Sequence, residues 1–423
     1  MTIISSKKGR KLVCNKAART AALLISIVFI GGCASYQTKV EDARKALQQE
    51  DPVKAAGLLE PLAHKKSDDQ LVYLLDYATA LQEARRYKLS ADAYQEAAKI
   101  AYIQDYHSIS KITASLLLSE EMVQYKGDDY EKVLIHAMNA VNYLELGELD
   151  DALVETRELN AMLYKFRYEA KKNYDQNPFA FYLSALIWEA NHDYDDAYIA
   201  YKSAYDVAPG YAPLRQDLVR SALNAQRPED VAKWKSQFPE VKVDPQWKDK
   251  SMGEIVLVYE QGWGPRKVPR PENPRFPMLI PYSSNTQSAN LIAGNMQIQT
   301  SRIFSVSDVA IKVMNDDYAR LVAMRIGGAV AKAVVADQIG QQNRALGAVA
   351  WLAMNIADRA DVRQWSTLPQ TFQIARLPLK AGKYKVSVQG LGYGAGPSGE
   401  NMPDRDVVVQ AGKKTFVSWR SVR

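Results

Sequence analysis

The chain has 423 residues, 47% of them apolar, enough for two or three domains with a sizeable core. Its formal charge of +6 is confined to the start: Lys7, Lys8, Arg10, Lys11, Lys16 and Arg19 stand without an acid before residue 33, leaving 48 basic and 48 acidic residues in the rest. A neutral body with no basic run lacks the basis for counterion-driven nucleic-acid binding, and the two cysteines, Cys14 and Cys33, leave no internal disulfide or thiolate metal site once a leader is removed.

The opening reads as a basic region followed by a short uncharged run, Thr20 to Gly32, and then Cys33. A bilayer span needs roughly 20 apolar residues, so this run is too short to cross and stay. Ile30, Gly31 and Gly32 before Cys33 resemble a bacterial lipobox. Small side chains admit a peptidase, and the thiolate is the nucleophile that takes the lipid. The resemblance implies a signal peptide over 1–32 and an acylated Cys33 carrying enough chains for stable anchoring. Ala34 and Ser35 follow where an inner-membrane sorting Asp would stand, so the expected address is the periplasmic leaflet of the outer membrane.

From residue 33 to about 240 the spacing predicts an all-α region. Its clearest unit is "PFAFYLSALIWEANHDYDDAYIAYKSAYDVAPGY", from Pro178 to Tyr211, with small residues at Ala185, Ala197 and Ala204, aromatics at Trp188 and Tyr201, and a closing Pro209. It looks like a tetratricopeptide repeat. Two antiparallel helices approach closely only where both present a small side chain, and Ala185 and Ala197 supply that crossing. A second copy begins at Leu71, with Ala78 and Ser90 at the crossing, and weaker copies begin at Gln37 and Val133. The starts at 37 and 71 are 34 residues apart, the expected period, whereas the later spacings are longer. The excess leaves room for a further helical pair around 105–125 and a long return helix through "LVETRELNAMLYKFRYEAKKNYD".

After about residue 241 the pattern changes. "EIVLVYEQG" alternates like a strand, and a proline-rich run from Pro265 to Pro281 follows. Further strands are expected at "MQIQTSRIF", "VAIKVM", "TFQIARLPL", "KYKVSVQGL", "RDVVVQA" and "KTFVSWR", with turns at Gly382 and Gly412. An Ala/Gly-rich helical insertion is expected at about 315–360, too short in its uncharged run to span a bilayer. Its small residues suit core packing, with a membrane or oligomer contact as the other reading. The fold expected is therefore α+β and multidomain: an all-α tetratricopeptide-like solenoid, then a small antiparallel β domain over 241–423 with a helical insertion.

Catalytic motifs find no support. His64, His107, His136 and His192 form no ligand pair, so no metal is expected, and no cofactor either. "GAGPSG" (394–399) matches a phosphate-loop pattern but leads towards a strand where such a loop must open a helix. A groove does have support. In tetratricopeptide domains the second and fifth residues of each unit face a concave surface; here these are Val72 and Leu75, Leu134 and Ala137, Phe179 and Tyr182, with Leu186 one turn on. Two occupants fit such an apolar lining: an amphipathic or extended segment of a partner, or the chain's own C-terminal part. "DVRQWSTLP" reads as a helix-exit turn anchored by Trp365 and ended by Pro369, or as a loop through which Arg363 and Trp365 meet a partner.

"YKGDDYEKVLIHAMNAVNYLELGELDDALVETRELN" (125–160) and "ADVRQWSTLP" (360–369) are together similar to a family of uncharacterised bacterial lipoproteins that join a tetratricopeptide-like half to a β-rich tail. "GEIVLVYEQGWGPRKV" (253–268) resembles the start of that tail, although Trp263 stands where a small residue is expected. The resemblance implies architecture more than activity. The function expected is a lipid-anchored periplasmic scaffold or adaptor for proteins of envelope assembly; the alternative is a regulator that activates a periplasmic enzyme such as a peptidoglycan synthase. An enzyme acting on glycan or peptide ranks third, and no nucleic-acid partner is expected.

Overall fold

The computed structural model describes residues 36–107, 124–169, 176–342 and 360–423. Cys33 and its lipobox lie outside the described residues. Helices come first: α1 (Tyr36–Gln48) and α2 (Pro52–Ala63), then the packed pairs α3 (Gln70–Glu83) and α4 (Tyr87–His107), α5 (Asp129–Leu146) and α6 (Leu149–Tyr164), α7 (Pro178–Ala190) and α8 (Tyr194–Val207), α9 (Pro213–Asn224) and α10 (Pro228–Gln237).

Local chemistry sets the boundaries. Helices α2, α7, α9 and α10 open on proline, whose missing N–H is an orphan at that position in any helix. Asn177 accepts the Ala180 N–H at 3.1 Å to cap α7. Gly147, at φ +76°, closes α5 in the left-handed conformation. The small-residue crossings are present as read: Ala185 and Ala197 are buried, and in the pair α3/α4 Ser90 sits against Ala78 closely enough to donate its hydroxyl to the Ala78 carbonyl at 2.7 Å. The return helix α6 continues into a π-helical turn, Lys165–Glu169. The extra pair expected near 105–125 falls largely outside the described residues.

The second half builds two four-stranded sheets, β10-β1-β7-β6 and β5-β4-β8-β9, and a small hairpin, β2-β3. The strands are β1 (Met252–Gln261), β2 (Arg266–Pro269), β3 (Pro277–Ile280), β4 (Ser288–Ala293), β5 (Met296–Gln299), β6 (Ser301–Ser305), β7 (Thr371–Lys380), β8 (Gly382–Leu391), β9 (Pro397–Val409) and β10 (Lys414–Ser421). All pairings are antiparallel except β1 with β10, which is parallel.

The two large sheets face each other across one apolar core, with Ile255, Leu257 and Tyr259 of β1 and Ala375, Leu377 and Leu379 of β7 meeting Leu291, Val386, Val388 and Val409. Expectation and structure differ at two places. "MQIQTSRIF" is two strands, β5 and β6, in different sheets, with Thr300 at the change. "VAIKVM" is helical: it belongs to α11 (Val306–Gln342), which starts earlier than the insertion expected from about 315 because Ser305 Oγ accepts the Asp308 N–H at 3.2 Å and begins a helix there. "GAGPSG" forms a short 3-10 turn and enters β9, with no helix behind it.

Asp42–Arg423 forms one compact unit, so the helical pairs from α2 onward and the sheets belong together. Among the described residues no helix is long and apolar enough to cross a membrane.

At the start of β1, Gly253 has no room for a side chain: a Cβ there would lie 2.3 Å from Gln410 O and 2.7 Å from Val409 Cγ1. Gly253→Ala is expected to lower stability by about 1–3 kcal/mol, read as a reduced urea midpoint with an unchanged slope.

Candidate functional site

Strand β1 is buried on both faces, because one face builds the sandwich core and the other meets the solenoid. Alternation puts Glu254, Val256, Val258 and Glu260 on that second face, with Phe372, Ile374 and Arg376 beside them on β7 and Lys414, Phe416, Ser418 and Arg420 on β10. The first helix of each successive pair receives them. Phe372 stacks on Phe179 of α7 with ring centroids 4.2 Å apart. Arg420 pairs with Glu83 of α3 at 2.9 Å, and Ser418 donates its hydroxyl to Glu145 of α5 at 2.8 Å, where Arg405 also pairs at 2.8 Å.

Arg376 is the centre of this contact. Its guanidinium reaches Glu254 at 2.7 Å, Asp217 of α9 at 2.7 Å and Glu189 of α7 at 3.3 Å, and it donates to the Tyr201 hydroxyl at 3.0 Å. Lys414 lies 3.1 Å from Glu189, and Arg220 of α9 adds contacts to Glu189 at 3.2 Å and Asp217 at 2.7 Å. Burial alone would raise these carboxyls. For Glu254 the charges of Arg376 and Lys414 outweigh it and hold the group at about 2, and for Glu189 Arg220, Lys414 and Arg376 hold it well below the usual range.

A second insertion comes from the segment before β7. Trp365 is 1% exposed; its indole N–H donates to Thr79 Oγ1 at 2.9 Å and its ring lies 5.6 Å from that of Tyr94. Its backbone N–H donates to Glu131 at 2.8 Å. Asp76 accepts the Ser366 hydroxyl at 3.0 Å and both the N–H and hydroxyl of Thr367 at 2.9 Å. Arg363 pairs with Asp361 at 2.8 Å and with Asp69, at the start of α3, at 2.9 Å. Trp365 is thus a packed anchor, and what it and Arg363 meet is the chain's own solenoid. Trp263 also has a reason to be large: it lies between the guanidinium groups of Arg44 at 4.6 Å and Arg420 at 5.0 Å.

The seven lining positions read from the repeat, Val72, Leu75, Leu134, Ala137, Phe179, Tyr182 and Leu186, are each at most 1% exposed. Of the two occupants considered for the concave face, the structure holds the chain's own C-terminal part there. Phe179 carries the stack with Phe372, and Tyr182 donates to Asp217 at 2.5 Å. The repeat template does not point to the polar residues of the same helices, Asp69, Asp76, Glu83, Glu131, Glu145, Glu189 and Asp217. Their signal was present: "YLLDYATALQE" and "SALIWEA" bury an acid inside an apolar run, which requires a partner.

Among the described residues no group of three or more His, Cys, Asp or Glu could hold a metal. His136 is tied to Glu155 at 2.6 Å, and His64 packs edge-on to Tyr77. Among the described residues, clefts of about 510, 380 and 710 Å³ flank the docked face, the last two sharing Arg220, Glu254 and Arg376 in their walls.

The structure therefore defines a tetratricopeptide-like solenoid whose first helices grip a β-sandwich from the same chain. No protein-family model matches the chain, and no curated protein matches it. Among solved structures it is similar to MamA 41-end from Desulfovibrio magneticus RS-1, with 14% identity over 48% of this chain and 91% of that one at a TM-score of 0.32. It is also similar to a Podosopora anserina putative kinesin light chain with nearly identical TPR-like repeats, with 12% identity, 48% and 93% coverage and a TM-score of 0.33.

Arg376→Ala would leave Glu254, Glu189 and Asp217 with too few cations in a buried site. The expected loss is about 3–5 kcal/mol in denaturant unfolding. Glu131 gives a pH signature. Burial and Asp128 push its carboxyl from 4.5 to about 7, against the hydrogen bonds from Tyr125, Trp365 and Asp128. Such a group binds its proton more tightly in the folded protein, so it favours the fold fully below pH 4.5 and that contribution is lost as the pH rises to about 7. Glu131→Gln is expected to shrink the stability lost over this window by roughly 3 kcal/mol at most, measured by urea unfolding at several pH values.

Proposed function

We propose that this chain is a lipid-anchored adaptor of the bacterial envelope, held at Cys33 in the periplasmic leaflet of the outer membrane and gathering protein partners for envelope assembly. The observation that carries this reading is a helical-repeat solenoid whose exposed large apolar side chains stand mostly on its second helices, Leu146 at the end of α5 being the exception among the described residues. Val53 and Leu58 of α2, Leu89, Tyr102 and Ile103 of α4, Val154 and Tyr164 of α6, and Ile199 of α8 are all exposed, and all stand on second helices. The concave side is taken by the sandwich and the Trp365 segment, so a partner meets the second-helix side. A partner segment on Val72, Phe179 or Tyr182 would first have to displace the chain's own C-terminal half. The lipobox at Cys33 supports the anchor, and the near-neutral body supports protein partners over nucleic acid.

The test is crosslinking in cells followed by purification of the anchored protein, with a Leu89→Glu, Val154→Glu, Ile199→Glu variant beside it. These positions are about half exposed, so the variant keeps its melting temperature within a few degrees. Specific envelope proteins recovered with the native chain and lost with the variant are the expected outcome. Identical recovery from both would remove the second-helix face from the reading, and a Cys33→Ser chain that still sediments with outer membranes would remove the anchor.

A further inference from the structure

The 510 Å³ cleft lies where the ends of α1 and α3 meet the edge of the sandwich, bordered by Leu47, Gln82, Glu83, Glu260, Trp419 and Arg420 among others. Its acids are not equally satisfied. Glu50 pairs with Arg423 at 2.6 Å, Glu83 with Arg420 at 2.9 Å, and Glu400 accepts the Val422 and Arg423 N–H groups at 2.7 and 3.0 Å. Glu260 is 4% exposed and lines the cleft, and the cation acting on its carboxyl is Arg420, through charge and not through a direct hydrogen bond. Arg420, its cross-strand neighbour on β10, turns instead to Glu83 and to the carbonyls of Thr367 and Gly262. A carboxylate held this deep gains from a positive charge brought close to it.

Other polar atoms behind this wall lack hydrogen-bond partners too: acceptors on Gln82 and Glu83 and the Nε donor of Arg420. Gln82 turns its Nε2 to Met138 O at 3.0 Å and Asn142 Oδ1 at 2.8 Å, which fixes the amide orientation and leaves Oε1 buried without a donor. We propose that this cleft binds the primary ammonium group of a small molecule, with the Glu260 carboxylate as its counter-ion. One guanidinium serves both Glu83 and Glu260, whose carboxyls burial raises, so with both ionised the charge left over is negative and the missing partner is a cation. It has to be compact, because Arg420 stands beside Glu260, and a metal ion has too few ligands here. Leu47 and Trp419 supply apolar wall for an alkyl stem, Trp419 being held by its stack on Tyr259 at 5.2 Å. Burial raises the Glu260 carboxyl to about 7, with Arg420 opposing and Glu83 adding, so below that pH the empty site holds a proton that an incoming ammonium displaces. The other charged or titratable groups around it are Tyr94 on the solenoid side and Glu50, Arg85, Tyr87, Glu400 and Arg423 on the cleft walls.

Calorimetry on the full-length chain with Nα-acetyl-lysine amide, and with Nα-acetyl-norleucine amide as its uncharged counterpart, tests the site. At pH 8 the lysine derivative is expected to bind at least tenfold more tightly than the norleucine derivative, and Glu260→Gln is expected to lose at least tenfold. In the native chain at pH 6, titrations in two buffers of different ionisation heat are expected to show close to one proton released per ligand, a readout that needs no variant. Absent binding at millimolar ligand, equal binding of the two derivatives, undiminished binding by a folded Glu260→Gln chain, or binding without proton release would each overturn the assignment.

Discussion

The chain is organised around a charge that cannot be left alone. Arg376 sits on a strand face that the solenoid covers, and a guanidinium removed from water needs its full set of acceptors. Two helices and its own sheet supply them: Glu189 from α7, Asp217 from α9 and Glu254 from the neighbouring strand. With Arg220 and Lys414 the cluster closes as three cations and three anions. Pairs of this kind add little net stability over apolar residues, since desolvation offsets most of the attraction. Their effect is to fix position. The apolar contacts, such as Phe179 on Phe372 and the buried Val256 and Val258, favour docking in general, whereas the ionic network permits only one register of sheet on helices.

The same division holds along the whole concave side. Acids on the first helices, from Asp69 to Asp217, meet arginines, a lysine and backbone N–H groups of the second half. Each carboxylate is matched to a particular donor: Asp76 to Ser366 and Thr367, Glu131 to the Trp365 backbone, Glu145 to Ser418 and Arg405. Separating the two halves would expose an acidic apolar trough on one and a basic apolar sheet on the other. That is why Asp42–Arg423 forms one compact unit despite its change from helix to strand.

Much of the architecture was legible because it is local. Small residues at Ala185, Ala197, Ala78 and Ser90 dictate helix crossings that any reading of period can find, and the alternation of "EIVLVYEQG" dictates a strand. What lay beyond the sequence was non-local. "VAIKVM" has strand-forming side chains, yet the cap at Ser305 and the continuing helix of α11 decide its state. "MQIQTSRIF" reads as one strand because nothing local marks Thr300 as the point where the chain passes between sheets. The groove positions were found by register, but the residues that bind its occupant were overlooked because a repeat template weighs apolar lining above polar exceptions. Asp76 within "YLLDYATALQE" and Arg376 within "FQIARLPL" were such exceptions, one on each side of the contact they now make.

A solenoid that fills its own groove changes where recognition can occur. Tetratricopeptide arrays without a docked domain offer the concave side, and its apolar lining is then free to take a partner segment. Here that side is committed, through contacts that are buried, charge-matched and spread over α3, α5, α7 and α9, so opening it means breaking several buried pairs at once. Among the described residues, exposed apolar side chains from Val53 to Ile199 stand on the second helices, and clefts run along the seam. The docked sandwich is then more than an appended module: it ties the first helices of successive pairs to one sheet face, through Glu83 to Arg420, Glu145 to Ser418 and Arg405, and Glu189 and Asp217 to Arg376.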